Sequence, residues 1–308
     1  MAPPHTPVVT RLLAAVLLVM SALFLAACGG ESTARPDLAF VSTRDGDYAI
    51  YEMNADGGGE HRVNDAELDS SELKVLFFEI EPAWSPDGTK IAFSSRRSGS
   101  FDVYVMNADG TGTQRLTSTK DHDSHPTWSP DGTQIAFARS GDVYVMNADG
   151  SDAHRISDPT AEESEPAWSP DGSWIAYIRR TPGGSVQDAW LMRSDGSERR
   201  AVTSQRARTF TPAWSPDSTR IVFTSNKDRD VFELYTIGID GKGLRSVVPT
   251  VADNFEPSWS PDGSKIAYQE DGAVFTVELG GGNVEKLTDN VNNDSSPAWN
   301  PKPPAEDG

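Results

Sequence analysis

The sequence predicts an all-β chain: a six-bladed β-propeller of four-stranded antiparallel blades, closed by the C-terminal strand completing the first blade. Three observations carry this. A Pro-small-Trp segment recurs six times, with its tryptophan at Trp84, Trp128, Trp168, Trp214, Trp259 and Trp299. These positions lie 44, 40, 46, 45 and 40 residues apart, and a period of about 40 to 45 residues holding four short strands is the signature of a propeller blade. The chain ends each carry part of a repeat. Leu38 to Val63 has no Pro-small-Trp strand before it, and Ser296-Pro297-Ala298-Trp299-Asn300-Pro301 has no further strands after it. Joined, the two make one complete blade.

The Pro-small-Trp segment is the innermost strand, because proline donates no ladder hydrogen bond and suits an edge facing a central channel. Ala83, Thr127, Ala167, Ala213, Ser258 and Ala298 alternate with the tryptophans. One sheet face is therefore bulky and the other thin, and each indole is expected to pack on its neighbour's thin face. A tight turn follows: Ser-Pro-Asp-Gly in four copies and Ser215-Pro216-Asp217-Ser218 in the fourth of five. Proline presets φ for a type I turn, and glycine accepts the positive φ at its end; Ser218 stands where glycine is preferred. Ile91-Ala92-Phe93 and its equivalents form the second strand, and runs around Tyr51, Tyr104, Tyr144, Trp190, Tyr235 and Phe275 the third. Turns such as Asn107-Ala108-Asp109-Gly110 lead to a short fourth strand ending near Leu116-Thr117 and its equivalents.

At the N-terminus, Arg11 precedes an apolar run from Leu12 to Phe24, the length of a signal-peptide core and short for a bilayer span. It ends in Leu25-Ala26-Ala27-Cys28, which resembles the bacterial lipobox and implies cleavage before Cys28 and acylation of it. Residues 1–27 are therefore expected to be a lipoprotein signal peptide, 28–37 the lipidated cysteine and a tether, 38–301 the propeller and 302–308 a disordered tail. Several acyl chains anchor a protein stably, so the expected location is extracytoplasmic, on a bacterial membrane. A single cysteine leaves no internal disulfide and no four-cysteine zinc site. Beyond residue 27 the chain has 46 acidic and 26 basic side chains, a net charge of −20, which argues against nucleic acid and against a polybasic membrane contact.

The repeated Pro-Ala-Trp-Ser-Pro-Asp-Gly, Ile-Ala-Phe, Tyr-Val-Met-Asn-Ala-Asp-Gly and Arg-Leu-Thr segments resemble the TolB-type β-propeller repeat family over about residues 38–301. The resemblance implies a fold on which many activities are built. Related propellers attached to serine peptidases need a hydrolase domain, and the chain has no Gly-x-Ser-x-Gly segment.

Comparison of the six copies separates scaffold from specificity. The Ser-Pro-Asp-Gly and Asn-Ala-Asp-Gly turns are nearly uniform and share one face of the disc, whereas the other connections, on the opposite face, differ from copy to copy. Immediately before the innermost-strand prolines stand Glu81, His125, Glu165, Thr211, Glu256 and Ser296. Three carboxylates and an imidazole around one channel mouth suit a cation, a basic peptide or a sugar. Arg206 and Arg208 add a basic sector. Asp121, His122, Asp123 and His125 are candidate metal ligands, and the resemblance includes lyases with histidine-rich metal sites. A metal-assisted polysaccharide lyase or hydrolase is therefore the alternative reading, with a divalent cation at the channel mouth as the sole cofactor considered. The apolar stretch Leu73 to Ile80, inside the long connection 64–80, suggests a plug or a docking edge. Arg44, Arg96, Arg97, Arg139, Arg179, Arg180, Lys227 and Arg229 on the variable face are expected to be solvated surface charge. The favoured reading is a monomeric, non-catalytic binding or scaffolding module. It recognises an envelope protein, peptide or glycan through the variable face.

Overall fold

The computed structural model describes residues 36–63, 79–181, 183–184, 186–204, 207–248, 252–289 and 291–301. Cys28, Arg206, the stretch 73–78 and the tail 302–308 lie outside the described residues. Six sheets of four antiparallel strands form the six blades of a propeller. The innermost strands are Glu79–Trp84, Asp123–Trp128, Glu162–Trp168, Thr209–Trp214, Asn254–Trp259 and Ser295–Trp299. Each pairs with the strand that follows its Ser-Pro-Asp turn, except the last. Ser295–Trp299 pairs with Leu38–Ser42 instead, in the register Leu38↔Trp299 and Ala39↔Ala298, and completes the first blade. Pro36 and Asp37, expected to end the tether, belong to this latch: Asn300 N–H donates to the Asp37 carbonyl (2.7 Å) and Asn300 Nδ2 to the Pro36 carbonyl (3.1 Å).

The tryptophans join blades as their spacing predicts. Trp84 packs with Ala298 and Ala39, and its Nε1 donates to the Ala298 carbonyl at 3.2 Å; Trp128 and Trp214 reach Ala83 and Ala167 in the same way. In the Ser-Pro-Asp turns the serine hydroxyl donates to the aspartate, as from Ser85 to Asp87 at 2.6 Å, and the carboxylate also accepts the Thr89 amide at 3.0 Å. The repeated aspartates are thus occupied in closing turns. Ser218 adopts φ +58, close to the φ +65 of Gly88. A left-handed non-glycine residue costs about 1–2 kcal/mol, and the Ser218 hydroxyl offsets part of this by accepting the Asp171 amide of the preceding blade at 3.0 Å. Glycine is required at Gly110, where a Cβ would sit 1.8 Å from the Val63 carbonyl oxygen of the neighbouring blade.

Several arginines expected to be solvated are structural clamps. Asp123 is fully buried and takes a bidentate ion pair from Arg139, at 2.6 and 2.8 Å, while the guanidinium lies over Phe137 and Tyr144. The pairs Arg97–Glu79, Arg179–Glu163 and Arg44–Asp294 repeat this arrangement in three other blades. Sequence comparison sees only a variable loop with an arginine, because the acid that receives it lies on a strand 16 to 18 residues earlier in three of these pairs and at the far chain end in the fourth.

Glu52 makes stability depend on pH. It is almost fully buried, its Oε1 has no hydrogen-bond partner among the described residues, and burial, helped by the charge of Asp109, pushes its carboxyl up to about 8. A carboxyl whose folded value exceeds its unfolded value of 4.5 favours the fold while protonated, and this contribution is lost as pH rises through 8. Between pH 6 and pH 9.5 the native protein is expected to lose on the order of 3 kcal/mol through this group. Glu52→Gln should melt at a higher temperature than the native chain at pH 9.5 and show a flatter profile; parallel profiles would refute the assignment.

Candidate functional site

Each innermost strand breaks register with its partner within three residues of entering the sheet, as between Ile80 and Ala83 or Phe255 and Ser258. The residue at the break has positive φ in all six blades: Glu81 +59, His125 +52, Glu165 +53, Thr211 +46, Glu256 +55 and Ser296 +49. The proline that follows has no N–H to pair, so the backbone can bulge here, and a bulge re-aims the side chain. The repeat of this bulge brings the predicted rim residues together around the channel.

Glu81, Glu165 and Glu256 alternate with His125, Thr211 and Ser296 around the ring, and each carboxylate accepts the backbone N–H of the next blade's rim residue. Glu81 Oε2 takes the His125 amide (2.6 Å) and the Ser94 hydroxyl (2.8 Å). Glu165 takes the Thr211 amide, and Glu256 takes the Ser296 amide (2.6 Å) and hydroxyl (3.1 Å). These bonds couple neighbouring blades and engage Oε2 of each carboxylate. His125 Nε2 lies 3.0 Å from Glu81 Oε1. Burial works to lower the pKa of His125, and the charges of Glu81, Glu165 and Glu256 together outweigh it, so the imidazole holds its proton more tightly than a free histidine. Burial raises the carboxyls of Glu165 and Glu256; His125 and the amide of Thr211 oppose this at Glu165, and the hydrogen bonds from Ser296 oppose it at Glu256.

The ring lies where two cavities meet. A channel of about 370 Å³ runs along the prolines and tryptophans of the innermost strands. A cleft of about 500 Å³ opens on the variable face, and His125, Glu165, Thr211 and Glu256 line both. Phe210, Phe232 and Phe255 form one wall of the cleft, with ring centroids 5.6 and 5.3 Å apart along the series. Arg208 is exposed and lies over Phe210 and Phe232, at 5.2 and 5.5 Å from their centroids.

The four metal-ligand candidates are placed apart in role. Asp123 is buried against Arg139, His125 joins the ring, and Asp121 and His122 are exposed, with the His122 ring 6.1 Å from Phe101. Among the described residues no three His, Cys, Asp or Glu side chains converge as a metal centre needs.

The TolB beta propeller domain family matches residues 75–189 and 164–304. The chain belongs to the TolB β-propeller family. Among its curated relatives, the Tol-Pal system protein TolB of Syntrophus aciditrophicus (strain SB) is 44% identical over 39 residues, 13% of this chain and 9% of that protein. The chain therefore aligns with only a small part of that relative's length. The crystal structure of TolB from Acinetobacter baumannii superimposes with a TM-score of 0.73 at 20% identity, over 92% of this chain and 71% of that one. An oligogalacturonate lyase in complex with manganese superimposes with a TM-score of 0.52 at 16% identity, over 68% and 64% of the two chains. At these identities the structural likenesses establish the fold.

Within this TolB-type ring, the phenylalanine wall is what sequence reasoning missed. Its signal lay in the residue before each rim position, which is Ile80, Ser124, Ser164 and Ser295 in four blades but Phe210 and Phe255 in the other two.

Proposed function

We propose that this protein is a lipid-anchored, extracytoplasmic binding module that holds an envelope protein or peptide on the variable face of its propeller. The observation that carries the reading is the asymmetry of the two faces. One is a set of uniform turns whose polar groups bond one another. The other has an open cleft leading to a ring of three carboxylates and a histidine. Specific recognition needs a concave surface with a few convergent polar groups on an apolar wall, and the cleft has both. Membership of the TolB propeller family, with relatives named as Tol-Pal system proteins, supports an envelope setting. The Leu25-Ala26-Ala27-Cys28 segment supports acylation at Cys28, to be read as the intact mass of the purified chain. The excess of acid favours a partner with basic character.

A photo-crosslinking residue at Thr211, on the rim, tests the reading in intact cells. A discrete protein adduct identified by mass spectrometry is expected. No adduct from a folded, acylated protein would overturn it.

A further inference from the structure

The fifth and sixth blades break the rule that the other four keep. In those four, a buried acid at the start of the innermost strand receives an arginine from the adjacent hairpin: Asp294–Arg44, Glu79–Arg97, Asp123–Arg139 and Glu163–Arg179. In the fifth blade Thr209 occupies the position of the acid, opposite Ser225; both hydroxyls are buried and neither has a hydrogen-bond partner among the described residues. In the sixth, Asn254 stands there, opposite Glu270. Over these two blades lie Phe210, Phe232 and Phe255, half-buried with their rings in series. The innermost strands of these two blades thus lack the acid of the clamp, and an apolar wall that remains accessible stands beside the vacated positions. Where local consistency is given up in two of six otherwise equivalent positions, function is the expected reason.

The chemistry of the cleft selects its occupant. Glu165 and Glu256 line its floor, and Asp294 lines its side. Asp294 is fully buried, with Oδ2 3.3 Å from Arg44 and Oδ1 without a hydrogen-bond partner among the described residues. Against these acids the cleft sets the imidazole of His125 and the guanidinium of Arg208. Arg208 also shows that the phenylalanine faces receive a cation, since it lies over two of them.

We propose that this cleft recognises a peptide segment in which a lysine or arginine is flanked by an apolar or aromatic residue. The basic group meets the carboxylates of Glu165 and Glu256, and the flanking side chain lies on Phe232 and Phe255. The proposal rests on the protein-binding reading above and narrows it to one ligand chemistry.

Two capped heptapeptides test it by calorimetry on the full acylated chain in detergent: Gly-Ser-Phe-Lys-Phe-Ser-Gly and the same sequence with norleucine in place of lysine. The lysine peptide is expected to bind at least about tenfold more tightly, a difference of about 1.4 kcal/mol. The preference should shrink between 50 and 500 mM salt as exposed charges are screened. Glu256→Gln keeps an acceptor for the Ser296 amide while removing the charge, and should cut the lysine preference to below about threefold. Phe232→Ser should weaken both peptides about tenfold or more. Unchanged melting temperatures confirm that both variants fold. Equal affinity for the two peptides, binding of neither, a lysine preference untouched by Glu256→Gln, or affinities untouched by Phe232→Ser overturns the proposal. A Thr211 adduct in cells alongside such a result would leave the protein-binding reading standing; failure of both would remove the two together.

Discussion

Deletion of residues 295–301 is expected to abolish cooperative unfolding of the propeller at room temperature. The lost strand carries the pairing with Leu38, Ala39 and Val41, and the acceptor for Trp84 Nε1 at the Ala298 carbonyl. It also carries the Ser296 groups bound by Glu256 and the Asn300 contacts to Pro36 and Asp37. Each net hydrogen bond contributes about 1 kcal/mol. Burial adds to this, since Pro297 and Asn300 are both buried. A loss of at least about 5 kcal/mol follows, comparable with the whole stability of many domains. The deletion also leaves the buried strand Leu38–Ser42 as an open edge, an invitation to aggregation. The expected result is loss of the near-ultraviolet dichroism transition, with recovery when a synthetic peptide of residues 291–301 is added, as a missing strand can be supplied in trans. A truncated chain melting within about 5 °C of the full one would show that the ring does not depend on its latch.

Arg139→Ala is expected to cost about 3–5 kcal/mol, the usual effect of stranding a buried charge. Asp123 is fully buried and bonded by both guanidinium contacts, so the single change leaves a carboxylate with neither water nor a cation. The truncation also removes the planar group lying over Phe137 and Tyr144. Replacing both partners, Asp123→Leu with Arg139→Leu, should recover more than half of the loss, because two apolar groups need no desolvation compensation. The comparison is read from thermal melts at pH 7. A single variant within about 1 kcal/mol of the native chain would make Asp123 available for another task and return it to consideration as a ligand.

The fold was legible because its determinants are local and repeated. Trp84 to Trp299 mark the blades, Ser-Pro-Asp turns mark one face, and an unpaired strand at each chain end announces the latch. The rim was legible as a set of positions, since Glu81, His125, Glu165, Thr211 and Glu256 share one place before a proline. Their roles were not. That each glutamate binds the next blade's amide depends on a backbone bulge and on the neighbouring blade's height, neither of which sequence spacing states. The clamp of Asp123 by Arg139 escaped for a related reason. Hairpin arginines on a variable face look solvated until the strand opposite is known, and Asp123 then reads as a metal-ligand candidate beside His122. Phe210, Phe232 and Phe255 come from three separate segments, and alternation alone makes each an ordinary strand or loop aromatic. Only the comparison of rim-adjacent positions between blades sets two of them apart.

The central claim is that the variable face, and not the face of uniform turns, engages a partner. The most direct test places the same photo-crosslinker in separate chains at Thr211 and Phe232 on the cleft and at Thr133 and Thr219, exposed on the turn face. Adduct yields are then compared in intact cells. One discrete protein adduct shared by the two cleft positions is expected, with little or none from the turn positions. Adducts of the same partner from Thr133 and Thr219, with none from the cleft, would contradict it.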